Sequence, residues 1–253
     1  MPDSWIQRPY GVRFDWGPAA ARTLASSSAC LVIVDVLSFT TSVTVAAEAG
    51  TRVFPFPWDD KTASAFARQH QAELAVGRRA ASPGSPWSLS PAALRRARVT
   101  ARLVLPSPNG SAISAAAAAS GATAVAACLR NAAAVGRWLT ERGLGTPRRP
   151  VTVIAAGERW PDGSLRPALE DLLGAGAVIS ALRTGDAGPP SPEARSASTC
   201  FETTTDITSA VSHCASGREL IDHGFPDDIM IATEVNASSV VPVLTEGAFT
   251  AAS

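Results

Sequence analysis

The chain has 253 residues, of which 46% are hydrophobic and 17% charged, so it can bury a sizeable core and does not have the composition of a disordered chain. Its 22 basic and 22 acidic residues give a formal net charge of +0. A neutral chain has no general field to attract nucleic acid or an anionic membrane, so we expect neither as a partner. An anionic ligand has to be held locally, by helix N-termini, backbone amides, arginines or a metal ion.

The reactive side chains argue against several common kinds of site. The four cysteines form no CxxC pair, and the three histidines stand at no zinc-ligand spacing. Lys61 is the only lysine, which disfavours Schiff-base chemistry and a lysine-dependent phosphate loop. The first ten residues lack a signal-peptide pattern, and no apolar run reaches the ~18 residues that span a bilayer. We therefore expect a cytoplasmic protein.

The predicted elements alternate between short apolar strands and helices. Strands are predicted at 31–36, 52–56, 103–105, 122–127 and 151–155. Helices are predicted at 38–49, from a cap at Asp59 or Asp60 to His70, from 109 onward, at 131–142 and at 167–183. This alternation predicts an α/β fold with a mainly parallel or mixed sheet flanked by helices. Such sheets bind ligands at the carboxyl ends of their strands.

Two stretches rich in proline and small residues interrupt this alternation, at 78–91 and at 185–198. The first is predicted to be a loop and the second a connection. Beyond them we predict a helix at 217–223, a strand at 229–232 and an edge strand at 240–244, because Pro242 interrupts the last run. These boundaries divide the chain into a main α/β lobe, 1–185, and a C-terminal α/β portion, 199–253, packed closely on it.

The first candidate site segment starts at Asp35, which ends the predicted buried strand. A hydroxyl-rich helix start follows and includes Thr40 and Thr41. A helix N-terminus offers unpaired amides and partial positive charge to a phosphate, and a strand-end carboxylate can hold Mg²⁺. The alternative is a helix cap and a strand-terminal aspartate with no further role.

Three further segments carry polar residues at element boundaries. Asn109, Gly110 and Ser111 follow a strand and open a helix, where they either bind an oxyanion or form an ordinary turn. Glu170 and Asp171 are adjacent carboxylates in an apolar helix that either bind Mg²⁺ or face solvent. They point roughly 100° apart around the helix axis, so both need not reach one ion.

Arg218 follows a glycine and either clamps an anion or pairs with a neighbouring carboxylate. No serine-hydrolase elbow, Walker-type loop, His-Glu-x-x-His, Cys-x5-Arg loop or Asp-x-Asp signature is present. Direct attack by a metal-activated water is therefore a simpler mechanism than a covalent phosphoenzyme.

Taken in order, these segments resemble the 2-phosphosulfolactate phosphatase (ComB-like) family. The likeness extends over roughly residues 30–245, and the segments that carry it are 34–42, 107–111, 129–132, 155–158, 168–176 and 216–220 with 224–225, Asp228 and 240–244. The resemblance implies an α/β, Mg²⁺-dependent enzyme that converts 2-phosphosulfolactate to 3-sulfolactate and phosphate, an early step towards coenzyme M.

The resemblance also implies residue roles, which we assign from the chemistry of the side chains in the matching segments. The resemblance would place Asp35, Glu170 and Asp171 near the metal, with Asp35 or Glu170 orienting the attacking water. It would also place a second set of residues around the small phosphorylated substrate: Thr40, Thr41, Asn109, Gly110, Ser111, Asn131 and Arg218.

Two departures from the family pattern affect the expected function. The family usually has an arginine where this chain has Ser38, and a Gly-Glu-Arg run where it has Gly77, Arg78 and Arg79. Arg78 or Arg79 would have to supply the missing cation. The alternative is a catalytically silent relative that binds an anionic metabolite or serves as a scaffold. A homodimer is the default expectation for its assembly.

Overall fold

The computed structural model describes residues 2–58, 61–182 and 188–252. The strands in these residues are β1 (Val12–Trp16), β2 (Cys30–Val34), β3 (Arg52–Pro57), β4 (Glu73–Leu74), β5 (Arg102–Ser107), β6 (Thr123–Ala127), β7 (Val151–Ala155), β8 (Glu158–Arg159), β9 (Leu165–Arg166), β10 (Pro242–Thr245) and β11 (Ala248–Ala251). The helices are α1 (Gly17–Leu24), α2 (Phe39–Glu48), α3 (Ala63–Gln69), α4 (Pro91–Arg96), α5 (Gly110–Ser120), α6 (Ala132–Glu141), α7 (Leu169–Leu182), α8 (Pro192–Thr203), α9 (Ile207–His213), α10 (Ala215–Asp222) and α11 (Pro226–Ala232).

The described strands form a mixed sheet of nine strands in the order β1-β7-β2-β6-β10-β11-β3-β5-β4, and β8 and β9 form a separate hairpin. Strands β1, β7, β2 and β6 are parallel to one another, as are β3, β5 and β4. The antiparallel pair β10 and β11 joins these two parallel groups. The predicted α/β class with a mixed, helix-flanked sheet is confirmed.

The side chains of β2 show how the sheet separates two apolar cores. Val32 and Val34 pack into the core that includes α6 and α7. Leu31 and Ile33 pack into the core that includes α1, α2 and α5. Successive residues of a strand point to opposite faces, so an uninterrupted apolar run is what a strand covered on both faces requires. The predicted strand is therefore central, and Asp35 follows its carboxyl end.

The prediction of a strand at 229–232 is wrong, because this run lies in α11, which begins at Pro226. Asp227 and Asp228 occupy its first turn, where acidic side chains favour a helix start, and proline suits the first helical position. A four-residue apolar run does not by itself distinguish a strand from a helix.

The prediction of an edge strand at 240–244 is also wrong. Strand β10 pairs with β11 on one side and with β6 on the other, and the outer strands of the described sheet are β1 and β4. Pro242 is the first residue of β10, a position at which a strand tolerates a missing amide donor.

The connection predicted at 185–198 is helical from Pro192, where α8 begins with Ser191 as its cap. The Ser191 hydroxyl accepts a hydrogen bond from the Ala194 amide at 3.1 Å. Residues 183–187, which include the predicted end of the 167–183 helix and the 185 boundary, lie outside the described residues, as do Asp59 and Asp60. The division into two portions stays a prediction, although β10 and β11 lie within the main sheet.

Candidate active site

Segments that follow two different strands meet at the buried carboxylate of Asp35. This residue follows β2, and its Oδ1 accepts a hydrogen bond from the Phe39 amide at 3.0 Å. Its Oδ2 accepts one from the Gly110 amide, which follows β5, also at 3.0 Å. Asp35 thus receives amides from the first residues of α2 and α5, where helices carry partial positive charge.

Asp171, in the first turn of α7, binds backbone amides of two segments beside Asp35. Its Oδ1 accepts the Val36 amide at 2.7 Å, and its Oδ2 accepts the Gly157 amide at 2.8 Å. Val36 follows β2 and Gly157 follows β7, so one carboxylate ties together the ends of two neighbouring strands. Both oxygens of Asp171 are used by the fold, and its role as a metal ligand stays a prediction.

Glu170 precedes Asp171 but points elsewhere, as the helical geometry predicts. Its Oε2 accepts a hydrogen bond from the Cys214 thiol at 3.2 Å, and the side chain is buried. Cys214 caps α10 by accepting the Gly217 amide on its sulfur at 3.4 Å. The single thiol hydrogen also has the Val211 carbonyl within reach at 3.1 Å, so it is shared between two acceptors, and Glu170 Oε1 has no hydrogen bond to the described residues.

Asn109 connects the end of β5 to the hairpin after β7. Its Nδ2 donates to the Gly157 carbonyl at 2.9 Å and to Glu158 Oε2 at 3.3 Å. Its Oδ1 accepts from Arg159 Nε at 3.1 Å. The amide therefore aligns a carboxylate and a guanidinium that are adjacent in sequence.

Glycine is required at two of these positions because neighbouring groups approach closely. A Cβ at Gly110 would lie 2.2 Å from Phe39 Cδ1, so a side chain there would displace the ring that covers the start of α5. Gly157 has a φ of +64°, and its Cβ would lie 2.7 Å from Leu165 Cδ1. These glycines let the amides that bind Asp35 and Asp171 reach their carboxylates.

Four carboxylates thus face a shared region, and we call Asp35, Glu158, Glu170 and Asp171 the strand-end carboxylates. Burial raises the pKa of Asp35 to about 6, and the Glu170 charge adds to the effect while amides and Arg78 oppose it. Burial, followed by the charges of Asp35 and Glu170, raises the pKa of Glu158 to about 8. Burial and the same neighbours raise the pKa of Asp171 well above its usual value. The cluster holds more negative charge than its surroundings neutralise.

Two arginines act on the charges of this cluster, Arg166, which pairs with Glu158 in the β8–β9 hairpin, and Arg78, which lies beside Asp35. Arg78 Nη2 donates to Ser38 Oγ at 2.7 Å, and its Nε donates to Asp228 Oδ2 at 3.0 Å. Asp228 is buried and also accepts from Ser90 Oγ at 2.5 Å. Arg78 therefore places its guanidinium at Ser38, and the buried carboxylate holds it there.

The hydroxyls predicted to contact substrate are used largely within the fold. Thr40 Oγ1 donates to the Asp35 carbonyl and accepts from the Asp35 amide, at 2.8 and 3.0 Å. Thr41 Oγ1 donates to the Val36 carbonyl at 2.8 Å, and Ser111 Oγ donates to the Ser107 carbonyl at 2.5 Å. These side chains stabilise the turns that carry the strand-end carboxylates, and their direct contact with a substrate stays a prediction.

Asn131 and Arg218 are not brought into the cluster by hydrogen bonds. Asn131 is buried, its Oδ1 accepts the Cys128 amide, and its Nδ2 donates to the carbonyls of Ala126 and Val240. Arg218 is exposed on α10 and forms no side-chain hydrogen bond or ion pair with the described residues. The structure gives Asn131 a structural use, and substrate binding by either residue stays a prediction.

Comparison with known proteins identifies the chain. A family model described as 2-phosphosulpholactate phosphatase matches residues 18–247. The chain belongs to the 2-phosphosulpholactate phosphatase family. It is similar to a probable 2-phosphosulfolactate phosphatase of Thermotoga petrophila, with 26% identity over 223 residues that cover 86% of this chain and 90% of the relative. A protein of the same name from Thermotoga maritima has the same identity and coverage.

Membership of this phosphatase family makes the chain a phosphoric monoester hydrolase, and the recognition from sequence motifs is confirmed. None of the helices in the described residues is long and apolar enough to cross a membrane.

A divalent cation is compatible with the strand-end carboxylates without a complete protein cage. In the described part of the chain, no group of three or more His, Cys, Asp and Glu side chains is arranged to hold a metal ion. Mg²⁺ does not require one, because it commonly uses one or two protein carboxylates together with water and substrate phosphate. Asp35, Glu158 and Glu170 supply hard oxygen donors with spare lone pairs, which is the donor chemistry that Mg²⁺ prefers.

Glu158 is the member of the cluster that the sequence analysis did not assign. It begins β8, shortly after the end of β7, and β7 is the parallel neighbour of the strand that Asp35 follows. Since strand ends of one parallel group meet at one edge, a polar residue just after the predicted 151–155 strand was the available signal. Arg159 and Asp228 were also missed as site residues, and no sequence spacing relates Asp228 to Arg78.

Proposed function

We propose that this protein hydrolyses a small phosphate monoester with the help of Mg²⁺, and that 2-phosphosulfolactate, yielding 3-sulfolactate and phosphate, is the first substrate to test. The observation that carries the proposal is the convergence of the strand-end carboxylates with Arg78 and two helix starts. Membership of the phosphatase family supports the reaction class. The names of the two Thermotoga relatives support the substrate.

The phosphoryl group has two sources of positive potential beside Asp35. Arg78 carries a guanidinium, which suits phosphate oxygens because it offers several donors in a fixed plane. The starts of α2 and α5 contribute partial positive charge where their amides approach Asp35. Arg78 therefore takes the role that the family's usual arginine would have at the position of Ser38.

The carboxylates have different roles in this proposal: orienting water, binding a cation and positioning the strand ends. Asp35 uses one lone pair on each oxygen for an amide and keeps others with which to orient a water molecule. Glu170, fixed by the Cys214 thiol on Oε2, has its other oxygen available for the same purpose or for a cation. Asp171 holds the ends of β2 and β7 together so that these groups keep their positions.

In the reaction, the water oxygen bonds to phosphorus, and the bond between phosphorus and the ester oxygen breaks. The water loses a proton to a carboxylate, and the ester oxygen takes up a proton, so the products are inorganic phosphate and the free hydroxy acid. Mg²⁺, held by Asp35 and Glu170, would neutralise charge on the phosphoryl oxygens when bound. Burial of the carboxylates keeps them from being solvated and strengthens their interactions with the reacting groups.

The test is release of inorganic phosphate from 2-phosphosulfolactate by the folded protein, in Mg²⁺ and in excess chelator. We expect release in Mg²⁺ and loss of it in chelator, with recovery when Mg²⁺ is restored. Release that is unchanged by the chelator would contradict the metal requirement. No release from 2-phosphosulfolactate, 2-phospholactate or p-nitrophenyl phosphate would contradict the hydrolase proposal.

The second candidate, a catalytically silent relative, was motivated by Ser38 and Arg78. The hydrogen bond between these two residues weakens the argument for a silent relative, because the Arg78 guanidinium lies where the family's usual arginine is missing. The silent relative predicts thermal stabilisation by phosphate or sulfolactate without turnover. Replacement of Asp35 by asparagine separates the two candidates, since only an enzyme has a rate to lose.

A further inference from the structure

We propose that this protein also hydrolyses 2-phosphorylated hydroxy acids with an apolar side group, such as a phenyl or branched alkyl group, that lies in a cavity beside Asn109. The same molecule's acid group would pair with Arg159. This inference rests on the proposed phosphatase function and extends its substrate class beyond 2-phosphosulfolactate, whose side group is a charged sulfonate.

The cavity lies between the carboxyl ends of β3 and β5 and the outer face of α5. Its volume is about 410 Å³, within the range of roughly 300–1,000 Å³ that small-molecule sites occupy. Most of its lining is apolar, and the residues that shape it include Pro55, Pro57, Trp58, Ala115 and Ala118. Trp58 remains 45% exposed, so a large aromatic surface is left open to a ligand.

The cavity adjoins the proposed catalytic site. Arg159 lines it and donates from Nε to Asn109 Oδ1 at 3.1 Å, while Asn109 Nδ2 donates to Glu158. Ser111, in the first turn of α5 next to the amide that binds Asp35, also lines it. Arg159 and Ser111 therefore connect this cavity to the residues around Asp35.

The polar groups of the cavity point to an acid at its mouth. Of the described residues that line it, none is acidic and Arg159 alone is basic. Arg159 is exposed and forms no salt bridge with a carboxylate in the described residues, unlike Arg78, which Asp228 already neutralises. Ser107 Oγ is buried, lines the cavity and has no hydrogen-bond partner there. A guanidinium without a carboxylate partner and a hydroxyl without a hydrogen-bond partner, both beside apolar walls, suit an amphiphilic acid.

The experiment compares two esters that share the phosphate and carboxylate and differ only in the side group: 2-phospholactate and 2-phospho-3-phenyllactate. In each, water supplies the oxygen that bonds to phosphorus, and the hydroxy acid leaves with its ester oxygen protonated. We expect kcat/KM for the phenyl ester to exceed that for 2-phospholactate by roughly tenfold to a hundredfold, as burial of an aromatic group predicts.

Two leucine variants on α5 provide a matched pair, because both positions are exposed on the same helix and leucine is a good helix former. Ala115→Leu places extra volume in the cavity, and Ala119→Leu lies outside it. We expect Ala115→Leu to reduce the phenyl preference to about threefold or less, and Ala119→Leu to leave the rates on both esters within about twofold of wild type.

Equal rates on the two esters, or a phenyl preference that Ala115→Leu leaves intact, would overturn the inference. Thermal shifts with 3-phenyllactate and lactate report the cavity independently of turnover, and we expect the larger shift with 3-phenyllactate, lost in Ala115→Leu. If no ester is hydrolysed but this difference in shifts is present, the hydrolase proposal fails and the apolar subsite stands. If phosphate is released but the two acids give equal shifts, the subsite fails and the hydrolase proposal stands.

Discussion

Two clusters of arginine and carboxylate side chains differ in their charge balance. In the first, which we call the Arg130 network, Arg130 contacts Glu48 at 2.8 Å and also pairs with Glu234, and Arg95 contacts Glu234 at 2.8 Å. It contains two cations and two anions. In the second, the four strand-end carboxylates face Arg78, whose charge Asp228 already offsets.

Charge balance distinguishes the cluster that needs a ligand from the cluster that does not. A balanced network satisfies its own charges and links α2, α4, the turn before α6 and the segment after α11 without any further group. Four carboxylates in a mostly buried site repel one another, and burial favours the neutral forms of Asp35, Glu158 and Asp171. Such an arrangement costs stability, so we attribute it to a cation and substrate rather than to the fold.

Asp35→Asn gives the largest expected effect on activity. An asparagine cannot act as a base or as an anionic metal ligand, so we expect phosphate release to fall by about a hundredfold to ten-thousandfold. The measurement is kcat in saturating Mg²⁺, with circular dichroism to check that the fold is kept. A variant that retains at least half of the wild-type kcat would remove Asp35 from the mechanism.

Glu48→Gln is the matched change in the Arg130 network. Arg130 is buried but keeps Glu234 as a partner, so we expect the free energy of unfolding to fall by about 1–2 kcal/mol and kcat to stay within about twofold of wild type. Denaturant titration and phosphate release measure the two quantities. A loss of activity comparable to that of Asp35→Asn would mean that the balanced cluster is also part of the site.

Arg78→Lys keeps the charge and removes the planar donor set. We expect kcat/KM to fall by about tenfold to a hundredfold, because a lysine cannot donate to Ser38, Asp228 and a phosphate in one plane. Arg79→Lys, at the neighbouring exposed arginine, is the control and should leave kcat/KM unchanged. Equal effects of the two changes would show that only the local charge, and not the position of Arg78, contributes.

The pH dependence of stability should reveal the unbalanced carboxylates. The pKa of Glu158 is raised from 4.5 to about 8 and that of Asp35 from 3.8 to about 6 in the folded chain. The folded state therefore holds more protons on these two groups than the unfolded state, so their contribution to stability is fully present below about pH 4 and is lost as pH rises through about 6 and 8. We expect the metal-free protein to melt about 2–4 °C lower, or more, at pH 8 than at pH 5.

Mg²⁺ should reverse this trend by stabilising the ionised carboxylates, with a larger increase in melting temperature at pH 8 than at pH 5. Glu158→Gln should flatten the profile of the metal-free protein. A melting temperature that rises with pH in the absence of metal, or that Mg²⁺ raises equally at both values, would contradict the assigned electrostatics.

Asn131→Ala is expected to change activity least. Its amide makes three hydrogen bonds to backbone groups in the interior, so we expect a loss of about 1–3 kcal/mol in the free energy of unfolding and an unchanged KM. A rise in KM at preserved stability would instead support the substrate-binding role that its place in the family motif predicts.

The sequence predicted the central elements well because their signals are local. The apolar run before Asp35 is typical of a buried strand, and the hydroxyl-rich segment after it is typical of a helix start. Both elements form as these local patterns predict, without depending on distant contacts. The 229–232 and 240–244 runs failed because a few apolar residues beside a proline fit several structures, and tertiary pairing decided between them.

The candidate site was predicted in part for a similar reason. Asp35, Asn109, Glu170 and Asp171 lie at predicted element boundaries and do meet. The bonds of Arg78 to Ser38 and Asp228 join residues 40 and 150 positions apart, and no sequence spacing encodes them. The structural use of Thr40 and Asn131 was likewise visible only once their backbone partners were in place.

We propose that the strand-end carboxylates hold a divalent cation beside the phosphate site. The decisive experiment is calorimetric titration of the metal-free protein with Mg²⁺ at pH 8, in the presence of sulfolactate and phosphate. We predict binding of one ion per chain that is lost in both Asp35→Asn and Glu170→Gln and kept in Glu48→Gln. Absence of binding to the wild-type protein, or binding that the first two variants leave unchanged, would contradict the account.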